Sequence, residues 1–353
     1  MYNFQVLSAT PAGILSPVSI IQSVTSYQEL LNWQDSSEVK LVCEATEENK
    51  RSVKCGGGIK SYDGINWSIC AAPIENDIMT IRCIDALGLL KQRAIRGTKN
   101  VTDPRASISG IYAENPFPSV GVKTDFPLPA LSTQVSWGSF TDAFCSFGTS
   151  AGFGFIPAAD SGTQIITSAI PGTDRTLPEN FTGMFSDTFG NIDSVQIMES
   201  IQEYRNFAIV AGEGEGAARI WTTIGVDDYQ TLRRELYVDA RDLQKKYMIV
   251  NGDSVTQGEY SDTEYIAVLQ ARGLEKLAEN KREFSIQIGT NEQPQMQYGV
   301  HYSLGDIVPI YLKKYGLYVS ARVSSVLTAI ENGAKQTTPT LADFQIIQGG
   351  TNQ

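Results

Sequence analysis

The sequence is poor in the side chains that most often carry enzyme chemistry. Its 353 residues include one histidine, His301, and no Cys-x-x-Cys pair. A single histidine excludes zinc sites built from several histidines and the His-Glu-x-x-His arrangement of metalloproteases. No pair of carboxylates stands out as a general acid and base. We therefore predict a protein that is not an enzyme and that has no catalytic residues, bound metal or cofactor.

Long hydrophobic runs are also missing. No stretch reaches the ~18 consecutive apolar residues that suggest a membrane helix. The first residues, MYNFQVLSATPAG, have neither the basic segment nor the long apolar core of a signal peptide. We expect no membrane span, no signal peptide and synthesis in a cytoplasm.

Positive charge is scarce as well. The chain has 28 Lys and Arg against 39 Asp and Glu, which gives a net charge of −11. An acidic surface repels phosphate backbones, so we expect no recognition of a specific nucleic-acid sequence. The same charge is compatible with the wall of a channel that conducts DNA without binding it.

The five cysteines do not form an obvious disulfide framework. They are odd in number, and four of them lie at positions typical of strands. A free cysteine in a strand usually behaves as a small buried hydrophobe, so we predict that role rather than disulfides or metal ligands. The five are Cys43, Cys55, Cys70, Cys83 and Cys145.

The abundant residues, glycine and proline among them, favour β structure. With 31 Gly and 14 Pro the chain has many turns, and apolar residues often alternate with polar ones. We predict a mainly β fold with a few helices, of the α+β class. Strands are predicted near 39–45, 51–59, 65–71, 78–84, 206–211, 219–224, 232–238, 284–288, 296–300, 307–312, 319–323 and 341–347. Helices are predicted at 26–33, 85–93, 136–150 and 262–281, the last capped by Asp262, with a hairpin turn at 46–50.

These patterns divide the chain into four segments. Residues 1–96 and 204–340 each read as a small antiparallel β unit with an attached helix. The middle, 97–203, is a loop-rich insertion with short strands and a short helix. Its first part, 97–135, contains five prolines, so we expect an extended segment or linker. Residues 341–353 are predicted to form a C-terminal strand and a frayed tail.

Three sequence segments together resemble a known family. They read LRRELYVDARDL at 232–243, LQARGLEKLAEN at 269–280 and YGVHYSLGDIV at 298–308. In this order they are similar to siphovirus tail-hub-like proteins, which lie at the tip of the tail tube and also occur in tail-like bacteriocin particles. Most of residues 20–96 share the resemblance.

The resemblance implies a structural hub of a phage tail tip, a baseplate or a contractile injection system. Such hubs are usually homotrimers in which each subunit contributes two β-barrel-like domains, so that the ring has pseudo-sixfold symmetry. The ring joins the hexameric tail tube protein to a threefold spike or tip protein and lines the ejection channel. We expect the same partners here, together with other baseplate or distal tail proteins, and a location in the tail of a virion or tail-like particle.

The motif residues are expected to be structural. The sequence around Gly305 fits a turn into the strand at 307–312, with the glycine supplying unusual backbone dihedrals. The charged positions alternate in sign along a strand and its exit, which fits ion pairs within or between subunits. The motif positions are Arg233, Arg234, Glu235, Asp239, Arg241, Asp242, Gly273, Leu304, Gly305 and Asp306.

Two other functions remain as alternatives. Residues 148–152 fit the G-x-S-x-G pattern of a serine nucleophile, so a tail-associated cell-wall hydrolase or esterase would use Ser150. That chemistry needs the serine on a sharp strand-to-helix turn, with a histidine partner. Here the motif follows a helical stripe of phenylalanines instead. The second alternative is a receptor- or carbohydrate-binding module in the tryptophan-containing loops and residues 97–203.

Overall fold

The protein is known from a computed structural model, which describes residues 3–10, 14–130, 133–160, 162, 164–226, 232–251, 254–289, 296–331 and 333–349. Strands dominate, as the sequence predicts, and helices separate some of them. The helices of the described part are α1 (Glu47–Ser52), α2 (Ala86–Leu90), α3 (Pro104–Glu114), α4 (Phe140–Ala151) and α5 (Asp262–Glu279).

The strands follow one another along the whole chain. The first half contains β1 (Gln5–Ala9), β2 (Leu15–Ile20), β3 (Val24–Asn32), β4 (Glu38–Glu44), β5 (Gly58–Lys60), β6 (Asn66–Ala71), β7 (Ile74–Glu75), β8 (Ile78–Ile84), β9 (Thr98–Val101), β10 (Val120–Lys123), β11 (Thr133–Ser136), β12 (Phe153–Ala158) and β13 (Ile165–Pro171). The second half contains β14 (Phe185–Ser186), β15 (Ser194–Ser200), β16 (Phe207–Ala211), β17 (Trp221–Gly225), β18 (Glu235–Asp239), β19 (Lys246–Asn251), β20 (Ser254–Glu259), β21 (Glu283–Gly289), β22 (Ile307–Leu312), β23 (Leu317–Glu331) and β24 (Ala334–Gly349).

By their contacts, the residues form two compact units. Unit 1 comprises Met1–Gln196 and Ile286–Gln353, and unit 2 comprises Ile197–Ser285. The division predicted after residues 96, 203 and 340 follows other boundaries, since the predicted domain 204–340 extends past residue 285, and it stays a prediction. The tail predicted beyond residue 349 lies outside the described residues, whereas the strand predicted at 341–347 lies within β24.

The main sheet contains strands from both ends of the sequence. Its strand order is β15-β21-β24-β23-β3-β4-β8-β6-β5-β1-β2, with β22 also paired to β23. The first part of β23 pairs with β22, and its second part pairs antiparallel with β3, residue Leu327 lying opposite Leu30. Within the described residues the sheets are open, so the mixed α+β fold is confirmed but the strands do not close into barrels.

The helix predicted at 26–33 is wrong, because these residues form β3. The Ser-x-x-Glu pattern suggests a capping box, but buried residues recur at every second position, Tyr27, Glu29 and Leu31 among them. That period is the period of a strand. Pairing with β4 on one side and β23 on the other decides the conformation, and local propensity is too weak to oppose it.

The hairpin turn predicted at 46–50 is a helix instead. Thr46 caps α1, because its side chain accepts a hydrogen bond from the backbone N–H of Asn49 at 3.1 Å. Acidic residues in the first turn and basic residues in the last suit the helix dipole. Since α1 extends to Ser52 and β5 begins only at Gly58, the strand predicted at 51–59 is also largely wrong.

The prolines of the middle segment do not make it an extended linker. Pro104 occupies the first turn of α3, where a missing N–H costs nothing, and Asp103 caps the helix. The helix predicted at 136–150 is confirmed as α4, whose Phe140, Phe144 and Phe147 are buried. Together with α2 and α3 they form an apolar core that also includes residues of β10, β12 and β13.

Unit 2 contains α5, a three-stranded sheet in the order β17-β16-β18 and a two-stranded sheet of β19 and β20. The helix predicted at 262–281 is confirmed, but its cap is Ser261, not Asp262. The Ser261 side chain accepts the N–H of Glu264, whose carboxylate in turn accepts the Ser261 N–H, a reciprocal capping box. Tyr265 and Leu269 pack on the sheet.

The strand predicted at 296–300 is wrong. These residues form turns with single bridges, and Gly299 has a φ of +80°, which breaks the extended conformation. Apolar residues alternate here over only five positions, which is too short a run to specify a strand. The segment leads instead into the motif turn before β22.

Candidate functional site

The motif turn around Gly305 packs against one tryptophan of the N-terminal region. Leu304 and Asp306 are buried, and Gly305 has a φ of +86°. Trp33 lies so close that a Cβ on Gly305 would be 2.1 Å from the ring atom Cζ3. Arg322 of β23 donates a hydrogen bond from Nη1 to the Gly305 carbonyl at 2.7 Å, and its guanidinium carbon lies 5.7 Å from the Trp33 ring centre. Only glycine fits this position.

Asp306 holds a loop from the middle of the chain against this turn. Its carboxylate accepts three hydrogen bonds of 2.9 Å, from Nε of Arg175 and from the backbone N–H groups of Thr173 and Ser303. The Asp306 side chain is only 4% exposed and that of Arg175 20%. The backbone of Ile307 also exchanges hydrogen bonds with Thr173 and Arg175. Such a buried pair is costly to break from one side.

A second group of motif residues lies in unit 2, at the end of β18. Asp239 accepts a hydrogen bond from Nη2 of Arg219 and pairs with Nε of Arg241 at 3.2 Å. Desolvation acts to raise the pKa of Asp239, but the hydrogen bonds and charges of Arg219 and Arg241 lower it below its ordinary value. Asp239 is therefore anionic at neutral pH and fixes two arginines.

The other charged motif residues also have partners within the chain. Arg233 pairs with Glu235, and its guanidinium carbon lies 4.2 Å from the centre of the Phe207 ring. The side chain of Arg234 donates to the carbonyl of Ile201 at 3.3 Å. The remaining member of this set, Asp242, pairs with Arg272 of α5 at 3.0 Å. Since most of these pairs are partly exposed, each contributes about 0–1 kcal/mol to stability.

Gly273 allows α5 to approach the sheet closely. A Cβ at this position would be 2.5 Å from Cγ2 of Ile224 and 2.7 Å from Cγ2 of Val210. Both distances are shorter than real Cβ contacts, so any side chain would push the helix away from β16 and β17. The motif glycine is thus a packing residue.

The face of this sheet that points away from α5 is open. Ala208, Val210 and Val238 pack with the helix, so their neighbours along each strand point to the opposite side. There, the side chains of Trp221 and Tyr237 are 61% and 59% exposed. We call the surface formed by Ile209, Arg219, Trp221, Thr223, Tyr237 and Asp239 the open face.

Arg219 crosses the open face and orders it. Its Nη1 donates to the Tyr237 hydroxyl at 2.7 Å, and its remaining donors reach the carbonyls of Gly212 and Ala211 at 3.0 and 2.8 Å. The face therefore presents an exposed tryptophan beside an arginine and a tyrosine that hold each other in place. These are the residue types that most often dominate binding energy at protein interfaces.

The structure brings the predicted motif residues together in two places, one in each unit. The sequence does not reveal their partners Trp33, Arg175 and Arg322, which come from distant parts of the chain. Arg219 is missed for a different reason, because it lies outside the matching segments. The sequence signal for Arg219 is its place just before the strand β17, which begins with a tryptophan, and that signal is weak.

The serine of the G-x-S-x-G pattern does not sit on a nucleophile elbow. Ser150 lies in the last turn of α4 and is exposed. His301 uses Nδ1 to accept the backbone N–H of Gln297 at 3.0 Å. In the described part of the chain, no three His, Cys, Asp or Glu side chains are arranged to hold a metal ion. A membrane-spanning helix would need a longer apolar run than any described helix offers.

A buried carboxylate lies in the main sheet of unit 1. Glu29 of β3 is 4% exposed, and its Oε1 accepts a hydrogen bond from the hydroxyl of Tyr27 at 3.0 Å. Burial and the nearby carboxylate of Asp63 raise its pKa to about 7, against the opposing effects of Tyr27 and Lys335. Glu29 therefore takes up a proton close to neutral pH.

We expect the stability of the protein to fall as pH rises through this range. Below pH 4.5, the ordinary pKa of a glutamate, both the folded and the unfolded state hold the Glu29 proton. As pH rises, the unfolded state releases this proton first. The stabilisation is lost as pH rises from there through about 7, by up to ~3 kcal/mol. Denaturant titrations at pH 5 and pH 8 measure the difference.

Glu29→Gln should flatten this dependence, because the amide keeps the acceptor for Tyr27 but does not titrate. Asp85, whose pKa burial raises to about 7, contributes in the same direction, so some dependence should remain. Asp85→Asn is the matched control for that remainder. A Glu29→Gln variant with the full wild-type pH dependence would contradict the assignment.

The sequence profile of one protein family, the Siphovirus ReqiPepy6 Gp37-like proteins, matches residues 18–341. The match covers nearly the whole chain, including both groups of motif residues. The chain belongs to this family. No curated protein sequence matches it significantly.

Several solved structures share the fold. The 43 kDa tail protein of prophage MuSo2 from Shewanella oneidensis superimposes with a TM-score of 0.58 at 12% identity, covering 96% of this chain and 97% of the other. A tail protein from Neisseria meningitidis gives 0.57 at 14% identity, covering 97% and 96%. A Francisella PdpA–VgrG complex gives 0.54 at 9% identity, covering 100% of this chain and 59% of the other.

Family membership and fold agree. The chain belongs to a siphovirus protein family and has the fold of phage tail proteins. The resemblance of the three motif segments to tail-hub-like proteins is therefore confirmed. The contacts of Gly273, Gly305 and Asp306 give those motifs a physical role in the fold.

Proposed function

We propose that the chain is a non-enzymatic hub subunit that assembles as a homotrimer. The trimer joins the hexameric tail tube to a threefold spike or tip and lines the ejection channel. The observation that carries the proposal is the family match over residues 18–341, which covers nearly the whole chain. The net charge of −11 suits a channel wall that DNA must pass without binding.

The spike partner has separate support. One structure with the same fold contains VgrG in complex with PdpA, and the fold of this chain matches along its full length. A spike or tip protein is therefore the partner class that we assign to one end of the trimer, and the tube protein to the other. Neighbouring baseplate or distal tail proteins complete the set.

Sedimentation tests the proposal directly. The purified chain should sediment as a trimer in analytical ultracentrifugation, and tagged chain expressed during particle production should co-sediment with tail particles. Electron microscopy of those particles should locate it as a single ring at the tip. A chain that stays monomeric at all concentrations and never enters particles would contradict the hub function.

We assign the open face to the contact between subunits. Large aromatic side chains that are more than half exposed in a single chain are typical of association surfaces. Trp221→Ala combined with Tyr237→Ala should remove at least about 2 kcal/mol per interface and shift the protein from trimer to monomer. Sedimentation over a concentration series measures the shift.

The control is another exposed apolar residue of unit 2. Leu274 on α5 is 55% exposed and does not belong to the open face. Leu274→Ala should therefore stay trimeric, and circular dichroism should show native folding for both variants. If the Trp221/Tyr237 variant remains trimeric, another surface forms the contact, although the hub function itself would stand.

A further inference from the structure

Two exposed cysteines lie on neighbouring segments, Cys55 in the turn before β5 and Cys70 in β6. Cys43 and Cys83 are buried, as the sequence predicts, but Cys55 and Cys70 are exposed, so the predicted role of small buried hydrophobe is wrong for them. Cys55 belongs to the turn that leads from α1 into β5, and Cys70 lies in β6, the partner strand of β5. The two thiols are therefore candidates for reaction with each other.

The backbone hydrogen bonds fix how the two cysteines face each other. The N–H of Gly56 donates to the carbonyl of Ile69 at 2.9 Å, and the N–H of Ile69 donates to the carbonyl of Gly57 at 2.9 Å. Two residues thus oppose one, and the first of them, Gly56, has a φ of +83°. This is the pattern of a β-bulge that starts with a left-handed glycine.

The register set by the bulge, continued by one residue beyond the paired strands, brings Cys55 opposite Cys70. Because the hydrogen-bonded position is taken by Ile69, the next pair along the ladder is a non-hydrogen-bonded one. Cα atoms in such pairs are about 4.5 Å apart and their side chains point to the same face. Disulfides need Cα atoms about 4.4–6.8 Å apart, so the spacing suits one.

Further observations agree with this placement. Burial raises the pKa of the Cys70 thiol, and Cys55 is near enough to add to the rise; the buried thiol of Cys83 is affected by both in the same way. The Cys70 Sγ donates only a weak hydrogen bond, to the carbonyl of Arg82 at 3.2 Å. Cys70 also sits where the register of β6 against β8 shifts, so its side chain is not committed to the core.

We propose that Cys55 and Cys70 form an intramolecular disulfide when the protein meets an oxidising medium. The oxidant is a small disulfide such as oxidised glutathione. The thiolate of one cysteine attacks it, forming a mixed disulfide and releasing one glutathione thiol. The second cysteine thiolate then displaces the other glutathione. In total one disulfide forms in the protein, one is reduced to two thiols, and the two cysteine protons pass to solvent and thiols.

The disulfide would matter for a particle that is assembled in the reducing interior of a cell and works outside it. The cross-link would close the chain from 55 to 70 and fix the register of β5 against β6, and so the attachment of the edge strands β1 and β2. This interpretation rests on the tail location, whereas the chemistry itself can be tested on the isolated chain.

Peptide mapping provides the test. The reduced, purified chain is incubated with oxidised glutathione at pH 8, alkylated and digested with trypsin without reduction. Cleavage after Lys54, Lys60 and Arg82 places the two cysteines in separate peptides, 55–60 and 61–82. We expect these two peptides to appear joined by a disulfide, and a melting temperature that is higher after oxidation than after reduction.

Single serine variants make the result specific. Cys55→Ser and Cys70→Ser should each abolish the joined peptides and leave a glutathione adduct on the remaining cysteine, whereas Cys145→Ser should behave as the wild type. Both sites are at the surface, so the variants should fold. Glutathione adducts on both cysteines of one molecule, joined peptides that involve Cys83, or unreacted thiols would overturn the proposal. None of these outcomes depends on trimer formation.

Discussion

Gly305→Ala should cost at least about 3 kcal/mol of folding free energy, which is a large part of the stability of an ordinary domain. Two costs add. A left-handed backbone conformation costs an alanine about 1–2 kcal/mol. The new Cβ would also lie 2.1–2.4 Å from three ring atoms of Trp33, so a buried ring must move within a packed core. Denaturant titration, or loss of soluble protein if the variant does not fold, measures the effect.

Gly299→Ala separates the two costs. Gly299 has a φ of +80°, close to the value of +86° at Gly305, but a Cβ there would have nothing within 4 Å. This control should therefore show only the conformational penalty of about 1–2 kcal/mol. If both alanine variants lose the same stability, the Trp33 contact contributes nothing and our account of the motif glycine is wrong.

The sequence predicts elements well where the pattern is long and local. The alternation in β4 and β8 and the periodicity of α5 identify these elements within a few residues of their ends. In β3 the prediction fails because the sequence shows a four-residue capping pattern but no clean alternation of apolar residues, since the buried position 29 is a glutamate and Leu30 and Leu31 are adjacent. The strand that stabilises β3 from one side, β23, follows almost 300 residues later, and no local pattern carries that information.

The candidate site shows the same limit. A turn with a special glycine at 304–306 can be inferred from the residues themselves, and Gly305 does adopt a positive φ. What cannot be inferred is why glycine is required, since the reason is the ring of Trp33. Likewise, the sequence places Asp306 in a turn but does not reveal Arg175. Motif residues become explicable only when the tertiary partner is known.

The ion pair of Asp306 and Arg175 should be worth more than the exposed pairs of unit 2. Asp306→Ala leaves a largely buried guanidinium and the N–H groups of Thr173 and Ser303 without their acceptor. We expect a loss of about 3–5 kcal/mol. Arg175→Ala should cost less, because the carboxylate keeps its two backbone donors. Denaturant titrations with unchanged slope measure both losses.

A double-mutant cycle isolates the interaction between the two side chains. Asp306→Ala with Arg175→Ala should be less destabilised than the sum of the single variants, by about 1–3 kcal/mol, because the double variant buries no unpaired charge. Asp187→Ala is the matched control. Asp187 also accepts two backbone N–H groups, those of Lys313 and Lys314, but it is more exposed and should cost only about 1 kcal/mol. Additive losses at Asp306 and Arg175 would mean that Asp306 acts through its backbone contacts alone, as Asp187 does.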